Sequence, residues 1–92
     1  MTKRSKLSIL MDILTLIQKR NGIAKPTHIL YGANLSYSSL KEYLNLLVSK
    51  GFVEEIKKGG RKYYKLTSKG YEFIKEFRKV KRLADAFGLP LI

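Results

Sequence analysis

Apolar residues recur three and four positions apart at the start of the chain, and this spacing predicts an amphipathic helix. The helix ends near Arg20, with Ser5 or Ser8 as its N-terminal cap and Gly22 as its stop. Its apolar stripe consists of Ile9, Leu10, Ile13, Leu14 and Ile17. One side of this helix is therefore expected to face a core.

Two further helices follow. A short second helix begins near Pro26, which is favourable in a first turn, and ends at Gly32-Ala33-Asn34. Ser36 then caps a third helix that ends near Lys50, before Gly51. At 100° per residue, one side of the third helix collects its apolar residues, Leu40, Tyr43, Leu44, Leu47 and Val48. This side is the predicted buried stripe.

The pattern then changes to one that is typical of strands. Residues 52–56 and 63–66 are rich in β-branched and aromatic residues, and they flank Gly59 and Gly60, which accept the positive φ of a tight turn. A two-residue loop predicts four cross-strand pairs: Lys57 with Lys62, Ile56 with Tyr63, Glu54 with Lys65, and Val53 with Leu66. The sequence therefore predicts a β-hairpin.

A last helix begins after Thr67, runs to about Phe87 and stops at Gly88. The predicted order is α-α-α-β-β-α, a mainly α protein with a small β-hairpin in the α+β class. Two helices joined by a short turn and followed by a hairpin are the order of a winged helix-turn-helix. We expect residues 1–67 to form this domain, and residues 68–92 to form an extended C-terminal helix for core packing and dimerisation.

Charge gives the first indication of function. The chain has 19 Lys and Arg residues against 7 Asp and Glu residues, a formal net charge of +12. Four of the cations, Lys57, Lys58, Arg61 and Lys62, crowd the hairpin tip, although like charges opposite each other are destabilising. This crowding indicates an external polyanion, and nucleic acid phosphate fits it best. No apolar run approaches the ~20 residues of a membrane span, and no signal peptide is visible. We therefore expect a cytoplasmic, nucleoid-associated protein without membrane contact.

The stretch from Thr27 to Tyr37, Thr-His-Ile-Leu-Tyr-Gly-Ala-Asn-Leu-Ser-Tyr, resembles the second helix and turn of small archaeal winged-helix regulators. The similarity continues through Leu40, Tyr43, Leu44 and Leu47, and residues 50–53 and 63–70 match the wing and its exit. It spans residues 5 to about 80. The family includes ten-kilodalton Sulfolobus DNA-binding proteins that dimerise through their last helices. The resemblance implies a winged-helix homodimer that binds double-stranded DNA without catalysis.

The polar side of the third helix is the candidate surface for DNA recognition. Small polar residues near its N-terminus, followed by Lys and Asn, suit insertion into the major groove. An ordinary solvated helix face is the alternative, and the basic hairpin that follows favours DNA. The expected DNA-contacting residues are Ser36, Tyr37, Ser38, Ser39, Lys41, Glu42, Asn45, Lys57, Lys58, Gly59, Gly60, Arg61 and Lys62.

The last helix carries apolar residues at coiled-coil spacing, and these predict a homodimer seam. The seam residues are Phe73, Phe77, Val80, Ala84 and Phe87, with Ile74 and Leu83 widening the stripe. The alternative is that this side packs on the first helix of the same chain, as we expect for its earlier half. Residues 89–92 add apolar surface that favours the dimer.

Residues for catalysis are scarce. Cysteine is absent, and the single histidine, His28, is expected to pack or cap within the second helix. Glu54 and Glu55 are adjacent on a strand and point to opposite faces, so they form no simple carboxylate pair. We expect no enzymatic activity, no metal and no cofactor. The sequence identifies no small-molecule effector.

Three interpretations of the binding function remain open. A regulator with sequence preference is favoured, because Glu42 on the recognition side would weaken indiscriminate phosphate binding yet could accept a hydrogen bond from cytosine. A general chromatin protein that coats DNA is the main alternative, and the net charge supports it. A protein-interaction or RNA-binding winged helix is the third. A protein-interaction module would not need four cations at the wing tip, and the solvent-facing aromatic platform that is usual for RNA binding is not evident in the sequence.

Overall fold

The computed structural model describes residues 5–90. In this range the elements are α1 (Lys6–Lys19), β1 (Ile23–Ala24), α2 (Pro26–Gly32), α3 (Tyr37–Ser49), β2 (Val53–Lys58), β3 (Arg61–Leu66) and α4 (Ser68–Ala86). The mainly helical class and the hairpin are confirmed. Two short segments lie outside the described residues, namely 1–4 and 91–92. They include parts of both predicted domains and half of the apolar tail.

Hydroxyl caps begin three of the helices at the predicted positions. Ser5, rather than Ser8, caps α1, and its side chain accepts a hydrogen bond from the Ser8 N–H at 3.0 Å. Ser36 caps α3 in the same way, and Thr67 caps α4 by accepting from the Gly70 N–H at 3.1 Å. Each cap satisfies one of the unpaired N–H groups that a helix start exposes, which fixes where the helix begins.

The predicted order lacked one element, the short strand β1. It pairs antiparallel with β3, Ile23 opposite Lys65 and Ala24 opposite Tyr64, so the sheet has the strand order β1-β3-β2. After α1, Asn21 and Gly22 both adopt positive φ, 62° and 85°, and turn the chain back along β3. A two-residue strand is too short to show an alternating pattern, so periodicity along the chain could not predict it.

The hairpin has the predicted register. Val53 lies opposite Leu66, Glu54 opposite Lys65, Ile56 opposite Tyr63 and Lys57 opposite Lys62. The two central turn residues, Gly59 and Gly60, have φ of 59° and 76°. Positive φ at both positions is the signature of a type I′ turn, whose twist matches that of the strands.

A single apolar core joins all four helices to the sheet. The predicted stripe residues Ile13, Leu14 and Ile17 of α1 are fully buried, and they pack with Leu40, Leu44 and Leu47 of α3. Val48 was predicted to be buried and is 36% exposed. It lies about 80° from Leu40 around the helix, at the margin of the stripe, where the core no longer covers it. Met11 of α1, which the predicted stripe did not include, is buried.

Helix α4 is divided into a packed first half and an exposed second half. Ile74 is buried, and the Phe73 ring lies 4.9 Å from the Phe52 ring, centroid to centroid. Arg78 reaches α1, where its guanidinium donates to the Gln18 side-chain oxygen at 3.0 Å. Beyond Arg78 most side chains of α4 are exposed. None of the helices in residues 5–90 has the length and apolar character needed to cross a bilayer.

Candidate nucleic-acid interface

The start of α3 holds its serines in a small hydroxyl network. The Ser36 side chain accepts from the Ser39 N–H at 3.2 Å and lies 2.9 Å from the Ser39 hydroxyl. The Ser38 hydroxyl is 3.3 Å from that of Ser36. These contacts position the hydroxyls around the first turn, while the neighbouring Tyr37 side chain is 71% exposed. All four of these predicted site residues therefore lie together at one end of α3.

Further along α3, three polar side chains point away from the core. Lys41, Glu42 and Asn45 are exposed. Within residues 5–90 they take part in none of the side-chain hydrogen bonds or ion pairs that the structure describes. Side chains without partners in the protein are free to bond to a base edge without first breaking an internal hydrogen bond.

The wing places its charges on two faces rather than in one cluster. Successive strand residues point to opposite sides. The inner face, which meets the core and α3, carries Val53, Glu55, Lys57, Lys62, Tyr64 and Leu66. The outer face carries Glu54, Ile56, Lys58, Arg61, Tyr63 and Lys65. The four tip cations are thus split into two pairs, one on each face of the hairpin.

One of the four cations already has an acidic partner. The Lys62 ammonium lies 3.3 Å from the Glu55 carboxylate on the inner face. Lys57, Lys58 and Arg61 are exposed, and the space around Gly59 and Gly60 at the tip is open. Three exposed cations surround a narrow turn, one on the inner face and two on the outer face, so the tip can reach a phosphate backbone.

A small groove joins the inner face of the wing to α3. Its volume is about 110 Å³, and Tyr37, Lys41, Asn45, Lys62 and Tyr64 line it together with Pro26. Partial burial, and then the nearby Glu55 carboxylate, raise the pKa of the Tyr64 phenol, so it stays protonated and can donate a hydrogen bond. The fold therefore brings predicted residues of α3 and of the wing to a common surface.

Pro26 and Tyr64 belong to this groove but were absent from the predicted site. The strand alternation that puts Lys62 on the inner face puts Tyr64 there as well, so this signal was present in the sequence. Pro26 has no comparable signal, because its position depends on how α2 packs beside the sheet.

The predicted seam residues of α4 fall into two groups. Phe73 and Phe77 pack against the core of their own chain, and their ring centroids are 6.3 Å apart. Val80 and Phe87 are 51% and 73% exposed, while Ala84 is half-buried. Leu83, on the same stretch, is also exposed. The exposed part of the predicted seam is thus its second half.

His28 has a structural position in α2. Its Nδ1 accepts from the Lys25 N–H at 3.3 Å, and its Nε2 lies 3.0 Å from a terminal guanidinium nitrogen (Nη2) of Arg20. Partial burial, and then the charges of Arg20 and Lys25, lower the pKa of the imidazole. Residues 5–90 contain no group of three His, Asp or Glu side chains that could hold a metal ion.

The helix pair, the basic hairpin and the surface between them define a winged helix-turn-helix. The family model described as winged helix-turn-helix matches residues 3–85, and the chain belongs to this family. The prediction of a winged helix-turn-helix, made from the element order and the local resemblance, is confirmed.

Solved structures show the same fold. Sso10a-2, a DNA-binding protein from Sulfolobus solfataricus, is 29% identical, with a TM-score of 0.72 over 90% of this chain and 87% of its own. TubR from Bacillus thuringiensis, solved bound to 24 bp of tubC, is 22% identical, with a TM-score of 0.69 over 77% of this chain and 80% of its own. The resemblance to archaeal winged-helix proteins is confirmed.

One curated relative is similar in sequence. An uncharacterized protein of Methanocaldococcus jannaschii is 34% identical over 55 residues, which cover 60% of this chain and 55% of that protein. The match thus spans about half the length of the relative.

Proposed function

We propose that this protein is a transcriptional regulator that binds double-stranded DNA with sequence preference, without catalysis. The observation that carries the proposal is the common surface formed by α3 and the inner face of the wing. Lys41 and Asn45 line this surface beside the basic hairpin, and Glu42 is exposed on the same helix. The similarity to Sso10a-2, which is itself described as a DNA-binding protein, supports this use of the fold.

In this proposal α3 enters the major groove. Asn can bond to adenine at two positions, Lys bonds to guanine, and a carboxylate accepts from the amino group of cytosine. Ser36, Tyr37, Ser38 and Ser39 at the start of α3 would contact the adjacent backbone and base edges. Hydroxyls and N–H groups at a helix start commonly bond to phosphate oxygens.

The wing supplies contacts that do not depend on sequence. Lys57, Lys58 and Arg61 would neutralise phosphates next to the groove that α3 occupies, with Gly59 and Gly60 allowing the turn to approach the backbone closely. Lys62 would contribute less, because Glu55 already neutralises it in the free protein. Each neutralised phosphate releases counterions, so this part of the affinity falls steeply with salt.

Glu42 distinguishes regulation from general coating of DNA. A carboxylate on the DNA-facing side repels every phosphate backbone, and a protein that only coats DNA gains nothing from it. A regulator gains discrimination, because the carboxylate is tolerated only where a base donates to it. The net charge of +12 supports the coating alternative, which remains the second candidate.

We further propose that the protein is a homodimer through the second half of α4. Val80, Leu83 and Phe87 lie three and four positions apart and are all more than half exposed. A run of exposed apolar side chains at this spacing is typical of a helix–helix interface. Phe73 and Phe77 would support this interface from within their own chain, since they already pack against its core.

The salt dependence of binding tests the wing's role in this proposal. A labelled duplex should be titrated at several salt concentrations with the parent, with Lys57→Ala and with Arg61→Ala. Each variant leaves one phosphate without its cation and should therefore reduce the log–log salt slope by roughly 0.9. Lys75→Ala, an exposed cation of α4, is the control and should leave the slope unchanged. Equal slopes for the parent and both wing variants would exclude the wing from the interface.

A further inference from the structure

The outer face of the wing borders a second, larger groove, on the opposite side of the sheet from α3. Its volume is about 660 Å³, within the range of small-molecule sites. Ile23 of β1, Ile56 of β2 and Tyr63 of β3 form an apolar floor, because all three point to the same side of the sheet. The groove depends on β1, which brings the end of α1 alongside the wing.

Four cations surround this apolar floor. Lys19 and Arg20 come from the end of α1, Lys25 precedes α2, and Lys58 comes from the wing. Among residues 5–90, no Asp or Glu side chain lines the groove. Cations gathered around a concave apolar surface of this kind create a positive potential that favours an anion.

Arg20, one of these cations, has a weak hydrogen-bond partner in His28. The Arg20 guanidinium can only donate, so its 3.0 Å contact with Nε2 of His28 requires that nitrogen to be unprotonated. The Lys25 N–H also donates to the histidine, at Nδ1. A neutral imidazole has only one acceptor nitrogen, so the two contacts need different tautomers and compete.

An incoming carboxylate would remove this competition. It would give Arg20 a charged, two-oxygen acceptor, which is a stronger partner than an imidazole nitrogen. His28 could then keep the tautomer that accepts from the Lys25 N–H at the start of α2. The groove is thus prepared to bind an anion at the Arg20 end and an apolar body on the floor.

We propose that this outer groove binds a small amphipathic carboxylate, a molecule with a flat apolar body and one carboxylate group. A phosphodiester backbone fits less well, since it would leave Ile23, Ile56 and Tyr63 without an apolar partner. The charged end lies against Arg20 and the neighbouring lysines, and the apolar body covers the floor. This site is separate from the surface between α3 and the wing, which lies on the other face of the sheet.

Binding at this site would weaken DNA binding, an effect that rests on the proposed function. Lys58 is both a rim residue of the groove and one of the wing cations proposed to contact phosphate. A carboxylate beside Lys58 neutralises part of the charge that the wing presents to DNA. By linkage, DNA would weaken binding of the carboxylate by the same factor.

Titration of the full chain with naphthoate, followed by amide NMR spectra in the absence of DNA, tests the site directly. We expect shifts centred on Ile23, Ile56 and Tyr63. Naphthalenemethanol, which has the same apolar body without the charge, should bind about tenfold more weakly than naphthoate, or more weakly still. Arg20→Ala should weaken naphthoate binding about tenfold, because it removes one charge-assisted hydrogen bond. Lys62→Ala, an equal change of charge on the inner face, should leave it unchanged.

Shifts centred on the groove between α3 and the wing, or equal affinities of Arg20→Ala and Lys62→Ala, would overturn the site. Duplex titrations then test the coupling: saturating naphthoate should weaken the parent's DNA affinity several-fold and have little effect on Lys58→Ala. An unaltered parent affinity would overturn the coupling. Failure of the parent to bind duplex DNA without naphthoate would instead overturn the proposed function and leave the NMR result standing.

Discussion

Lys62 and Glu55 form a diagonal ion pair across the wing, with 3.3 Å between the ammonium and the carboxylate. Glu55 lies directly opposite Tyr64, and Lys62 lies opposite Lys57. Glu55 and Lys62 are therefore diagonal neighbours on the same face of the hairpin. Both side chains are partly exposed, and such pairs contribute little to stability, about 0–1 kcal/mol. The consequence of the pair lies in binding, because it lowers the positive charge on the face that meets α3.

Removal of the Glu55 charge should therefore strengthen DNA binding. Glu55→Gln frees Lys62 to contact phosphate and removes a carboxylate that repels the backbone. We expect tighter binding to all duplexes alike, with a log–log salt slope steeper by up to roughly 0.9. Fluorescence anisotropy with two unrelated duplexes across a range of salt concentrations measures both quantities.

Glu54→Gln is the matched control for this experiment. Glu54 is the adjacent residue, also exposed, but it lies on the outer face, so the same change of charge occurs away from α3. It should increase affinity less than Glu55→Gln. Equal gains from the two variants would show that only net charge matters and that the inner face has no special role.

Gly70 should be the most sensitive position at the start of α4. A Cβ at this position would collide with the Phe52 carbonyl oxygen, where the chain enters β2. Because the obstacle is backbone, relief requires α4 to move. Gly70→Ala should lower stability by about 1–3 kcal/mol, the typical cost of overpacking. Thermal unfolding measures this, with the exposed first-turn variant Ser68→Ala as the control. An unchanged melting temperature for Gly70→Ala would show that α4 does not approach β2 so closely.

His28 should make stability depend on pH. Its pKa in the folded protein is below the usual 6.5, so near that pH the unfolded chain binds more protons than the folded one. The stabilising contribution of neutral His28 is complete above pH 6.5 and is lost as the pH falls toward the lower folded-state pKa. Melting temperatures of the parent should fall over this interval, and those of His28→Gln should fall less. Parallel curves for both proteins would contradict the lowered pKa.

The second half of α4 should control the oligomeric state. We expect a dimer at micromolar concentration, and Phe87→Asp should dissociate it, because a charge in an apolar seam has no partner. Phe87 is far from the core and 73% exposed, so this change spares the fold of the monomer. Ala86→Asp, an equal change of charge at the neighbouring exposed position, is the control. Light scattering measures the oligomeric state, and a parent that is monomeric at high concentration would rule out this interface.

Much of the fold was predictable because its signals are local. The caps at Ser36 and Thr67 and the hairpin register set by Gly59 and Gly60 depend on residues within a few positions of one another. The split of the wing cations was also implied by that register, since Lys57 and Lys62 form one opposed pair and Lys58 and Arg61 the next.

Other features depend on packing between distant segments. Strand β1 exists because β3 offers it an edge, and two residues carry no periodicity that could reveal it. The exposure of Val48 depends on where the core ends, which the helix periodicity alone does not determine. The Arg20–His28 contact and the outer groove require β1 in place, so neither could be predicted from the order of residues.

Selection of binding sites from random duplex DNA tests the central claim most directly, namely that α3 selects sequence while the wing holds the backbone. The parent should enrich a defined motif, an inverted repeat with half-sites about one helical turn or a multiple apart. Glu42→Ala and Asn45→Ala should each change the preferred base at one position, because each loses roughly 1–3 kcal/mol of discrimination between bases there. Ser49→Ala is the control, because its hydroxyl already donates to the Leu46 carbonyl at 2.8 Å, and it should return the parent motif. Selection of no motif by the parent, or of the same motif by all four proteins, would contradict recognition by α3.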